Sequence, residues 1–116
     1  MKIYRRSEPN NNLGGSVTID IVIEQILRNL LEIAILRILQ EEALHGYAIV
    51  QKLKLLLNRD FTPNVVYPIL YKLENNKLIK SQVVQRGKRQ IIRVYSITER
   101  GREIFQRVSE IAKRVI

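Results

Sequence analysis

The sequence predicts a mainly α-helical domain that carries one β-hairpin, in the order helix, helix, helix, hairpin, helix. Three observations lead there. Apolar residues recur at intervals of three and four over most of the chain, the helical period. Between residues 78 and 97 the composition changes to two β-branched-rich runs on either side of a short turn with a glycine. And 116 residues, 46% of them hydrophobic, provide for one domain with one modest core.

Residues 1–16 are polar and turn-rich, with Pro9, three consecutive Asn and Gly14-Gly15, and are expected to form a flexible arm ahead of the domain at 17–116. The first helix is expected from Ile19, with Thr18 or Asp20 as its cap, along Ile19, Ile23, Ile26, Leu27, Leu30, Leu31, Ala34, Ile35, Ile38 and Leu39. Residues 30–39 are apolar nearly all round, which calls for burial on more than one side. A second helix follows Gly46, with Tyr47, Ile49, Val50, Leu53, Leu56 and Leu57 as its apolar positions. Phe61-Thr62-Pro63 then has the form of a helix start. Thr62 is the cap, Pro63 takes the first helical position, and Phe61 is placed to staple against Val66. This third helix should turn Val66, Ile69, Leu70 and Leu73 inward, with Pro68 bending or tightening its first turns. Strands at 78–85 and 90–97 flank Arg86-Gly87-Lys88-Arg89. Thr98 caps a last amphipathic helix, about 98–116, with Glu99 beside the positive end of its dipole.

Charge narrows the function. Twenty Lys and Arg against eleven Asp and Glu give a net charge of +9, which favours a polyanionic partner. Cysteine is absent and His45 is the only histidine, so thiol chemistry, a His-based metal site and a catalytic triad all fall away. No enzyme, cofactor or metal is expected. The most apolar stretch, 26–39, is broken by Arg28, Glu32 and Arg37, so it does not supply the roughly 20 apolar residues of a membrane span. The N-terminus lacks the apolar core of a signal peptide, and a cytoplasmic location is the expectation.

Two helices joined by a short polar link, the second opening on a cap and followed by a basic hairpin, describe a winged helix-turn-helix, with the third helix placed for the major groove of double-stranded DNA. The residues also resemble a known family. Leu44-His45-Gly46-Tyr47, the run from Thr62 to Glu74, Leu78-Ile79, the Gly87-Lys88-Arg89 tip and the run from Tyr95 to Arg102 are similar to the PadR family of transcriptional regulators. The resemblance implies a homodimer bound to a palindromic operator, usually as a repressor, with the last and first helices in the dimer contact. Many such proteins answer to small hydrophobic or phenolic compounds, so a small hydrophobic effector is an implied partner. This chain departs from the family in having Asn64-Val65 where Gly-Thr is common, and it stops at Ile116, without the longer C-terminal dimerisation region of larger members.

The DNA-binding residues expected on this reading are Thr62, Asn64, Val65, Tyr67, Tyr71 and Lys72 on the third helix and Arg86, Lys88, Arg89 and Arg93 on the wing. The resemblance adds Tyr47, as a contact to the DNA backbone. Asn reads adenine with two hydrogen bonds, and Lys or Tyr binds phosphate. A core role for Tyr67 is the competing reading, and His45 is expected to be structural at the helix junction. From Leu78 to Ile97 no acid accompanies the five cations. On the last helix, by contrast, Glu103 and Glu110 precede Arg107 and Arg114 by four residues, the favourable order for pairing. The dimer seam is expected to join Ile19, Ile23 and Ile26 to Ile104, Val108, Ile111 and Val115 across a two-fold axis. The competing function is that of a sequence-neutral, DNA-coating architectural protein.

Overall fold

In the computed structural model, which describes residues 12–116 and their side chains from residue 18, the elements are α1 (Asn12–Ile38), β1 (Leu44–His45), α2 (Gly46–Leu57), α3 (Pro63–Asn75), β2 (Ile79–Arg86), β3 (Gln90–Ile97) and α4 (Glu99–Val115). The four helices and the hairpin stand in the expected order. Helix α1 starts earlier than its apolar period suggested, so Thr18 and Asp20 lie inside it rather than capping it, and residues 12–16 are helical. Once a helix is held by packing further along, each added residue contributes a hydrogen bond at little nucleation cost, and local propensity is overridden. The remainder of the expected arm, residues 1–11, lies outside the described residues.

The core is built on α1. Leu31, Ala34, Ile35, Leu36 and Leu39 are all buried. The three consecutive members, 34–36, span about 200° of the helix circumference, so α1 is covered on more than one side, by α2, α3 and α4. Ile49, Val50 and Leu53 of α2 and Val66, Ile69, Leu70 and Leu73 of α3 close the core from the other side. Thr62 is the extended N-cap of α3 and Pro63 opens the helix. Phe61 and Val66, the two positions of the expected staple, are both buried in the core. Pro68 sits within the continuous helix and lacks the N–H that would bond the carbonyl of Asn64.

Strand β3 is central in a three-stranded antiparallel sheet, paired with β2 from Ile79↔Ile97 to Arg86↔Gln90 and with β1 through Leu44↔Tyr95 and His45↔Val94. The third strand was not expected, because two residues are too few to carry a strand period. The loop 87–89 turns on Gly87, whose φ of 71° suits glycine and strains other residues. Thr98 caps α4 by accepting from the Gly101 N–H at 2.9 Å, and its hydroxyl lies 2.8 Å from the Lys77 carbonyl oxygen. Gly101 is buried so close to the Leu78 carbonyl that a Cβ there would collide with it. α4 is thereby fixed against the link between α3 and the wing. No helix among the described residues is long and apolar enough to cross a membrane.

Candidate nucleic-acid interface

Helix α3 presents two faces because of its period. With Val66, Ile69, Leu70 and Leu73 inward, the residues 64, 67, 68 and 71 fall on the opposite side at spacings of three and four. Asn64, Tyr67, Pro68 and Tyr71 are indeed exposed, Tyr71 at 73% and Tyr67 at 42%. This stripe offers an amide and two phenols. Thr62 is exposed at the opening of the helix and makes no side-chain capping bond. Val65 is half-buried against the core rather than on the stripe. Lys72 lies in the last turn, where its Nζ is 2.9 Å from Glu32 Oε2 of α1. The structure therefore separates Lys72 from the exposed stripe and ties it to the scaffold.

On the wing, Arg86, Lys88 and Arg89 are exposed around the tip, and no ion pair engages them among the described residues. Arg93 differs from these three. Its Nη1 donates to Ser81 Oγ at 2.9 Å, across the hairpin. Lys77 and Lys80 are exposed as well.

Between the start of α2 and the wing lies a cleft of about 360 Å³, lined by His45, Gly46, Tyr47, Tyr67, Arg93 and Tyr95 among others. It brings together Tyr47, Tyr67 and Arg93, three of the expected DNA-binding residues from three separate elements. Tyr47 is 62% exposed, and its ring stacks on His45 with 6.4 Å between centroids. The Tyr67 ring lies over Gly46, where an added Cβ would come within 2.6 Å of it. Tyr67 thus packs along one edge of its ring and leaves the rest exposed. His45 caps α2 with extended backbone and belongs to β1, in keeping with a structural role. Tyr95 is 7% exposed, and burial pushes its hydroxyl above the ordinary tyrosine range, with Arg93 opposing and Glu74 reinforcing the shift.

One pair of hydrogen bonds has no counterpart in the sequence reading. Glu74, near the end of α3, accepts from the Ser81 hydroxyl at 2.7 Å and from the Ser81 N–H at 3.2 Å. Glu74 and Ser81 lie on different elements, so their contact depends on how the hairpin folds back on α3, and the sequence carries no signal for it.

The expected seam divides. Ile19, Ile26, Ile111 and Val115 are 58% or more exposed, whereas Ile23, Ile104 and Val108 are half-buried. Ile104 and Val108 line a cleft of about 220 Å³ against Ile33 and Leu36 of their own α1. Beside them an open, largely apolar groove of about 700 Å³ runs between α1, α2 and α4, lined by Leu30, Leu57, Phe105, Ala112 and Ile116, with Arg37 and Lys113 as its cations.

Comparison with known proteins gives this geometry its relatives. The fold is similar to that of a PadR-like transcription factor from Bacteroides fragilis, at 24% identity over 81% of this chain and 90% of that one, with a TM-score of 0.71. It is similar to a PadR-like transcriptional regulator from Bacillus cereus, at 26% identity over 78% of this chain and 88% of that one, with a TM-score of 0.69. It is also similar to Bacillus subtilis PadR, whose structure was solved in complex with operator DNA, at 26% identity over 66% of this chain and 45% of that one, with a TM-score of 0.61. No curated protein matches the sequence. Residues 35–107, which run from the last turn of α1 through the wing into α4, match the family described as "Transcriptional regulator PadR-like family", and the chain with its winged-helix fold belongs to that family of regulators rather than to a family of enzymes.

Proposed function

We propose that this protein is a sequence-specific DNA-binding repressor that occupies a palindromic operator as a homodimer. The observation that carries the reading is the joint exposure of the Asn64, Tyr67, Tyr71 stripe and of a wing whose cations have no acidic companion in sequence. The stripe would read base edges in the major groove, and Arg86, Lys88 and Arg89 would neutralise flanking phosphates. Tyr47 with Thr62, and Arg93 from the cleft, would complete the backbone contacts, which position the domain without reading sequence. Lys72 and Val65 contribute by holding α3 in place. The solved complex of Bacillus subtilis PadR with operator DNA supports this use of the fold.

Dimerisation is supported by the apolar residues that one chain leaves uncovered, Ile19 and Ile26 on α1 and Ile111 and Val115 on α4. Two copies related by a two-fold axis would set their α3 helices about 34 Å apart, one turn of DNA, and so require a palindrome. A small hydrophobic effector would find its apolar lining in the groove between α1, α2 and α4, next to that seam.

The competing reading is a protein that coats DNA without preference, which a charge of +9 also suits. Competition among genomic fragments decides between them. A regulator enriches a few sites by roughly 10³ to 10⁷ over random DNA. Even retention of all fragments would overturn the repressor reading, and a single mass of 13.6 kDa by sedimentation at micromolar concentration would overturn the dimer.

A further inference from the structure

On the β2 edge of the sheet, opposite β1, the wing is joined to the body of the protein by a chain of three side chains, Glu74 of α3, Ser81 of β2 and Arg93 of β3. Glu74 Oε2 receives both donors of Ser81, and Ser81 Oγ in turn receives Arg93 Nη1. The hairpin is also held by buried Ile79, Tyr95 and Ile97 and, along the other side of β3, by β1, whose pairs lie level with Ser81 and Gln82. Beyond Ser81, from Gln82 to Ile91, every residue is exposed. We infer that Glu74 is a positioning residue for DNA recognition, acting as a strut that sets the angle between the reading helix and the wing.

Leverage makes the angle matter. From Ser81 to Arg86 the strand runs about 17 Å, so ten degrees of slack at the anchor moves the tip by about 3 Å. That displacement is the length of a hydrogen bond, enough to take Lys88 and Arg89 off a phosphate. A carboxylate suits the task because it is an acceptor only, and a single oxygen holds both Ser81 donors in charge-assisted bonds. The strut joins the wing directly to the helix that carries Asn64, Tyr67 and Tyr71, so the two DNA-facing surfaces keep one register. A carboxylate this close to a cationic wing opposes DNA electrostatically, so its contribution must be geometric.

The inference rests on the DNA-binding reading, and the test separates the two. The chain has no cysteine, so spin labels at Asn75→Cys and Lys88→Cys, diluted into unlabelled protein, report the distance from α3 to the tip in the absence of DNA. Unlabelled Glu74→Ala and Glu74→Gln are compared with the parent for operator preference over random DNA and for salt slope. Both variants lose the charge, but only the Ala variant loses the acceptor.

In Glu74→Ala the distance distribution should broaden, operator preference should fall about tenfold, and the salt slope should become shallower by roughly 0.9 for each phosphate that the wing no longer neutralises. Glu74→Gln should keep a narrow distribution and the parent's preference. Equal behaviour of the two variants, or broadening without any change in preference and slope, overturns the strut. If circular dichroism shows Glu74→Ala unfolded, Ser81→Ala takes its place, with partial broadening expected and an unchanged width counting against the proposal. A parent that shows no operator preference defeats the DNA reading alone, since the label distances still decide whether the strut exists.

Discussion

The wing and helix α4 each carry five cations, yet they are different surfaces. Between Ile79 and Ile97 the cations Lys80, Arg86, Lys88, Arg89 and Arg93 stand with no acid in the segment. Along α4, Arg100, Arg102, Arg107, Lys113 and Arg114 alternate with Glu99, Glu103 and Glu110. Arg107 closes on Glu103 at 2.9 Å, and Arg102 donates to Gln40 at the end of α1. Among the described residues Glu110 and Arg114 do not pair, although their spacing permits it. The same number of positive charges therefore stands without any acid in one place and among three acids, one of them in an ion pair, in the other. What α4 leaves open is the end of its apolar stripe, Ile111 and Val115, so in the proposed complex the two ends of the domain take two different partners, DNA at the wing and a second copy at α4.

The largest effect should come from breaking the second of these partners. Ile111→Asp with Val115→Asp places charges on two side chains that are 58% and 79% exposed in a single chain, so the fold has little reason to suffer. Sedimentation should show the dimer dissociated. Operator affinity should fall by roughly 10² to 10⁴, because two linked half-sites no longer share an effective concentration. Val108→Asp would be a poorer choice, since Val108 also packs toward its own α1. Retained operator affinity in a fully monomeric double variant would dissolve the division of labour between the two ends.

The first partner is tested at the wing. Lys88→Ala with Arg89→Ala removes two cations per chain and four per dimer, and the slope of log K against log salt should become shallower by roughly 0.9 for each phosphate left without its cation. Preference for the operator should persist, because α3 still faces the bases. An unchanged slope would take the tip off the DNA, and a vanished preference at unchanged slope would mean that the tip reads the minor groove.

Most of this comparison was legible in the sequence, for a physical reason. Helical period and cap chemistry are local, so the inward set of α3, the Thr98 cap and the Glu103 to Arg107 pair could be read from spacing alone. The acid-free run between Leu78 and Ile97 is likewise a property of composition. What spacing cannot give is which of two plausible neighbours a long side chain chooses. Lys72 turned to Glu32, forty residues away, and Arg93 to Ser81, and neither choice leaves a trace in local pattern. The early start of α1 was hidden because its first turns carry no apolar period, and β1 because its pairing with β3 joins segments some fifty residues apart.

Reading and positioning separate at Asn64. Exposed on the stripe and next to the cap, it is placed for a base edge, and Asn64→Ala should cost about 1 to 3 kcal/mol on the operator and almost nothing on random DNA. Titration of both DNAs checks this. Equal losses would assign Asn64 to the scaffold and leave Tyr67 and Tyr71 as the readers.

The smallest effect is expected on the other side of the comparison, and it is the sharpest test of the idea that position and acidic neighbours decide whether cations are available. Arg107→Ala removes one positive charge from α4, just as Lys88→Ala does from the wing. Its pair with Glu103 is exposed on both sides, 72% and 63%, so its loss should cost only about 0.3 to 0.5 kcal/mol of stability, measured by denaturant unfolding. In the proposed complex α4 meets a second copy rather than DNA, and a charge farther from a phosphate than the Debye length of about 8 Å is largely screened. The salt slope should therefore stay at the parent's value, whereas Lys88→Ala, with no acid beside it, should make the slope shallower by about 0.9 for each phosphate it had neutralised. If both single variants flatten the slope equally, the binding responds to net charge alone, and the wing has no privileged place on the DNA.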